Sequence, residues 1–113
     1  MPDINTLRQL VHDVGPDTAQ KLLEVFKDGS LKHLEAVRTH VTNAGELNDL
    51  RRHAHSLKGL CLTYGAVDGG KAAEVLQDAC DAGDEAQIQA AAETALKLIS
   101  KDIEETLAAF KTL

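Results

Sequence analysis

Apolar residues recur along this chain at intervals of three and four, beginning with Ile4, Leu7, Leu10, Val11 and Val14, which predicts a short amphipathic helix over 3–14. Gly15 ends it. Pro16 then suits the first turn of a second helix, where its missing N–H is no loss and Asp17 favours the positive end of the helix dipole. The second seam runs through Ala19, Leu22, Leu23, Phe26, Leu34, Val37 and Val41, with Ser30 in a seam place. Its phase survives Asp28-Gly29-Ser30, so the reading is one long helix to about Val41 with a soft point at Gly29, two shorter helices being the alternative.

Thr42-Asn43-Ala44-Gly45 reads as a turn, and from Glu46 a third seam follows through Leu47, Leu50, Ala54, Leu57, Cys61 and Tyr64. Gly65 stands where a helix-closing glycine belongs. Ala72, Val75, Leu76, Ala79 and Cys80 mark a fourth helix that stops near Ala82-Gly83-Asp84. A long last helix from about Asp84 carries Ile88, Ala92, Ala95, Ile99, Ile103, Leu107 and Phe110, with Lys and Glu opposite. Helices joined by such short connections lie antiparallel as neighbours. The expected fold is all-α: an up-and-down antiparallel four-helix bundle with a short additional N-terminal helix, forming a single domain over 1–113. No internal repeat is present.

Composition agrees with this reading. A length of 113 residues suits one hydrophobic core. Apolar residues at 43% and charged residues at 27% place the chain among ordinary globular proteins. Aromatics are confined to Phe26, Tyr64 and Phe110, and the abundance of Ala and Leu favours helix over strand. A net charge of −6 argues against nucleic acid as a partner, because that affinity rests on clustered Lys and Arg. No apolar run approaches the ~20 residues of a membrane span, and the N-terminal stretch lacks a signal-peptide layout, so a cytoplasmic protein is expected. Cys61 and Cys80 fall in apolar registers without C-x-x-C spacing and read as buried free thiols rather than a disulfide.

The third helix carries the candidate chemistry. At roughly 100° per residue its seam forms one stripe, and His55 points about 130° away from the stripe's centre, toward solvent. Lys58, Gly59 and Leu62 follow on the same face, with Arg51 one turn before and Arg52 beside it. Glycine inside a helix costs ~1 kcal/mol relative to alanine, so Gly59 needs a reason. Side chains lean toward the helix N-terminus, and any side chain at 59 would crowd the imidazole of His55. Lys58 supplies a mobile ammonium suited to a phosphoryl group. Neutral imidazole is a nucleophile near physiological pH, and its phosphoramidate is labile enough to pass the group on. His53 is an internal control: its i+3 and i+4 neighbours are Ser56 and Leu57, which give neither cation nor clearance.

Ala54-His55-Ser56-Leu57-Lys58-Gly59 followed by Gly65-Ala66 resembles the H-x-x-K-G…G-A signature of histidine-containing phosphotransfer (HPt) domains. More loosely, the resemblance extends from Leu22-Leu23-x-x-Phe26 through the Ala82-Gly83-Asp84 turn into the last helix. It implies that His55 is the phosphoacceptor, that Lys58 supports the phosphoryl group and that Gly59 gives a receiver domain room to dock. Arg51, Arg52, Leu62 and Gln77 are then partner-binding candidates, with Gln77 near a family position that faces the histidine. The implied partners are response-regulator receiver domains and a sensor or hybrid histidine kinase. No cofactor is expected on this chain, with Mg2+ on the partner receiver, and a monomer is expected. Leu60 departs from the family's small or hydroxyl residue, and Gly69-Gly70 replace a larger apolar side chain, which puts partner choice in question.

Other classes fit less well. A metal-binding bundle would use Glu-x-x-His, which is absent, and His33 and His40 lie about 10 Å apart along a helix axis. No glycine-rich phosphate loop or Ser/His/Asp constellation suggests an enzyme, so the phosphoryl group must come from elsewhere. A non-catalytic helical adaptor or dimerisation module would explain the seams, but leaves Gly59 beside His55 and Lys58 without a reason.

Overall fold

Local signals decide where the helices begin and end. In the computed structural model, which describes residues 1–43 and 45–113, they are α1 (Ile4–Val14), α2 (Pro16–Thr42), α3 (Leu47–Thr63), α4 (Val67–Ala82) and α5 (Glu85–Lys111). Ala44, within the turn predicted after the second helix, lies outside the described residues. The Asp3 carboxylate caps α1 by accepting from the N–H groups of Asn5 and Thr6, and Asp84 caps α5 by accepting from Gln87 N–H at 3.1 Å. Gly83, at φ 77°, closes α4 in the left-handed region.

Between Pro16 and Thr42 the second helix is continuous, as its unbroken phase predicts. Ser30 is fully buried in the seam. Leu60 Cδ1 stands 3.8 Å from the place a Gly29 Cβ would take, so the larger residue at position 60 meets the smallest one on α2.

These helices form a packed bundle: α2 and α4 each lie against both α3 and α5, and α1 rests on α2 and α5. Phe26, Leu23, Leu57, Leu76 and Ile99 meet in its interior, and Phe26 stacks on Tyr64 with ring centroids 5.0 Å apart. Cys61 and Cys80 are buried and free, and burial, aided by Asp102, pushes the Cys61 thiol up to about 12.

Three seam assignments need correction. Val14 is 39% exposed because it is the last residue of α1, where the helix ends at Gly15. Leu47 is 37% exposed because it is the first residue of α3, at the end of the bundle. Val75 is 58% exposed: the buried line of α4 turns through Gly69, Ala73, Leu76 and Cys80, leaving Val75 on its margin.

Asp102 is the buried charge that periodicity gives no reason to expect, at 2% exposure on α5. Its Oδ2 accepts from Gly69 N–H at 2.8 Å. The first turn of α4 has no side-chain cap of its own, since Ala66 precedes it, so α5 supplies the missing acceptor from across the bundle. Close approach explains both glycines. A Cβ at 69 would stand 3.2 Å from Cys61 Sγ and 3.4 Å from Asp102 Oδ2, and one at 70 only 2.5 Å from Leu62 Cδ2.

Candidate functional site

Helix α3 buries Leu50, Ala54, Leu57 and Cys61, which leaves His55 exposed on the opposite side. Lys58 follows one turn later, partly buried against α4, with Nζ 4.0 Å from Glu74 Oε1. At Gly59 an added Cβ would find no atom within 4 Å beyond its chain neighbours and the backbone of its own helix. The glycine therefore fills no close-packed contact with another helix.

The flanking arginines are engaged elsewhere. Arg51 Nε donates to Asp81 Oδ1 on α4 at 2.5 Å, and Arg52 pairs with Asp49, one turn back on α3. Leu62 is 47% exposed and covers Gly70. Gln77 is partly buried on α4, and its Oε1 has no hydrogen-bond partner among the described residues, His55 included. Three carboxylates beside the site, Glu74, Asp81 and Asp49, were not singled out by sequence. The i, i+3 spacing of Asp49 and Arg52 was legible there; the cross-helix partners carry no local signal.

His53 has a different environment. Its Nδ1 lies 2.9 Å from Nδ1 of His33 on α2, with ring centroids 5.2 Å apart, so one ring must donate and the other accept. Burial, and then the charge of His53, hold the His33 imidazole below its ordinary 6.5. The unfolded chain thus takes up that proton more readily than the folded one. The contribution of this group to stability is complete above about 6.5 and is lost as pH falls through the lower folded value. Melting temperature is expected to fall as pH drops below about 6.5, and His33→Gln should flatten that slope. An unchanged slope in His33→Gln would assign the acid sensitivity to other groups.

No group of three or more His, Cys, Asp or Glu side chains is placed to hold a metal ion among the described residues. Among them, no helix is long and apolar enough to cross a membrane. A groove lined by Val11, Leu23 and Phe110 between α1, α2 and α5 shares no lining residue with the His55 patch. What surrounds His55 is an open helix face with a cation beside it, a surface that suits a macromolecular visitor better than an enclosed small molecule.

A family model described as Hpt domain matches residues 21–111. No curated protein and no solved structure matches the chain.

Proposed function

Matched over most of its length, this chain belongs to the Hpt domain family, whose members pass phosphoryl groups through histidine in phosphorelays, and on that premise we propose that His55 is its phosphoacceptor. One arrangement carries the assignment: His55 is exposed, Lys58 lies one turn along, and no atom outside the local helix backbone stands within 4 Å of where a Gly59 Cβ would be. Lys58 neutralises the phosphoryl oxygens, and Gly59 admits the partner. Leu62, Arg51, Arg52 and Gln77 form the margin of the docking face.

The chain acts as one unit over 1–113, a carrier and not a catalyst. It accepts from and donates to response-regulator receiver domains, downstream of a sensor or hybrid histidine kinase, in a multistep relay in the cytoplasm. Mg2+ belongs to the receiver, and the carrier works as a monomer. We read α2 to α5 as an up-and-down antiparallel bundle, a reading supported by the short connections and by the ring of neighbours.

A transfer assay tests the proposal. Receiver domains phosphorylated on aspartate are mixed with the purified chain, and acid-labile, base-stable label is expected to move onto it within minutes. The reading fails if no receiver of a broad panel loses label to this chain while an established carrier accepts it in parallel.

A further inference from the structure

Every cation on the His55 patch has a carboxylate against it, but the three pairs differ in closeness. Arg51 and Arg52 are hydrogen-bonded to Asp81 and Asp49, whereas Lys58 Nζ stands 4.0 Å from Glu74 Oε1, beyond hydrogen-bond range. Glu74 lies on α4, a different helix from His55, and its side chain is 52% exposed. The cation best placed to meet a phosphoryl group is thus the one most loosely held.

Loading can be followed charge by charge. A ring nitrogen of neutral His55 attacks phosphorus with its lone pair, an N–P bond forms, and the O–P bond of the aspartyl phosphate breaks with its electron pair leaving on the carboxylate. The other ring nitrogen keeps its proton. Two negative charges arrive on the phosphoryl oxygens and one positive charge remains on the ring, with no net proton exchange. Lys58 then has two anions to choose between.

Resting on the assignment of His55, we propose that Glu74 is a positioning residue that sets how long the carrier keeps its phosphoryl group. In the unloaded protein its carboxylate attracts the Lys58 ammonium from 4.0 Å without bonding it. In the loaded protein it competes with the phosphoryl oxygens for that ammonium and weakens their neutralisation. The phosphoramidate is consequently less stable, and a better donor, than it would be beside a free lysine. A bare lysine would favour retention; a lysine restrained by Glu74 favours release.

Phosphoramidate, a small phosphodonor, loads the protein without a partner, so the lifetime of the label can be read directly. At low salt, Glu74→Gln is expected to lengthen that lifetime by about twofold to fivefold, the size of effect an exposed ion pair exerts. Its equilibrium with a phosphorylated receiver should move toward the carrier by a similar factor. The melting temperature should not move, because Glu74 makes no core contact. In a Lys58→Ala background the same substitution should lose most of its effect, since the lysine through which it acts is gone.

An unchanged lifetime in Glu74→Gln overturns the proposal. An equal gain with and without Lys58 overturns it too, because the carboxylate would then act as bulk charge. Label that persists in His55→Gln at wild-type level sinks the assignment of His55 and this inference with it. A labelled wild type, an unlabelled His55→Gln and an indifferent Glu74→Gln would sink only the role of Glu74.

Discussion

A His55→Gln protein is expected to take no label from a phosphorylated receiver, while His53→Gln accepts it at the wild-type rate. Glutamine keeps much of the size and polarity of histidine but has no nucleophilic ring nitrogen. Position 55 is exposed, so the exchange should leave stability within about 0.5 kcal/mol of wild type. His53 is partly buried and engaged with His33 at 2.9 Å, and it has no lysine at i+3. Loss of label in one variant and not the other therefore separates a placed nucleophile from a generally reactive histidine. Acid-labile label on His55→Gln, measured beside wild type, would remove His55 from the mechanism.

Gly59 should uncouple stability from function. Nothing outside the local helix backbone lies within 4 Å of a Cβ there, so Gly59→Ala meets no clash and should stabilise the fold by up to ~1 kcal/mol, the helix-propensity difference between the two residues. Gly59→Gln should also fold, but its side chain would lean back over His55 and into the path of a docking receiver. Forcing such an extra side chain into a fitted interface costs about 1–3 kcal/mol, or roughly fivefold to 150-fold in transfer. Denaturation curves and transfer time courses on the same preparations measure both properties. If Gly59→Gln transfers at the wild-type rate, the glycine does not provide access.

What could be seen in the sequence follows from how locally each feature is determined. Helix ends announce themselves through single residues, and Pro16, Gly65, Gly83 and Asp84 all stand at the boundaries they suggest. Phase is equally local: Ser30 could be placed in a seam of larger apolar residues because its neighbours three and four away define the stripe, and it is fully buried. Periodicity is weaker at margins and ends, which is why Val14, Leu47 and Val75 read as interior positions and lie outside it.

Contacts between helices had no such signal. Gly69 and Gly70 could be recognised as unusual, but their reason lies in Asp102 and Leu62, on two different helices. The geometry of the candidate site divides the same way. His55, Lys58 and Gly59 share one helix, so their spacing alone predicts a common face, whereas the carboxylates that hold Arg51 and attract Lys58 come from α4. A helical wheel cannot report them.

The corner between α3 and α4 also governs the order in which the chain can assemble. Gly65 ends α3 at φ 80°, where Ala66 N–H donates to Cys61 O at 2.8 Å, and the absent Cβ lets the strand-like entry to α1 come close. Asp3 N–H donates to Gly65 O at 2.7 Å, and Pro2 forms a β-bridge with Ala66. A side chain at 65 would stand 2.9 Å from Asp3 O, so this fastening is specific to glycine. Its two halves are some sixty residues apart in sequence, and closing so long a loop costs entropy that only a finished corner can offset. This fastening, unlike the contacts α1 makes with the neighbouring α2, can close only once the corner has formed. With Leu7 as the one fully buried side chain of α1, its amide protons are expected to exchange with solvent ahead of those of the bundle beneath it.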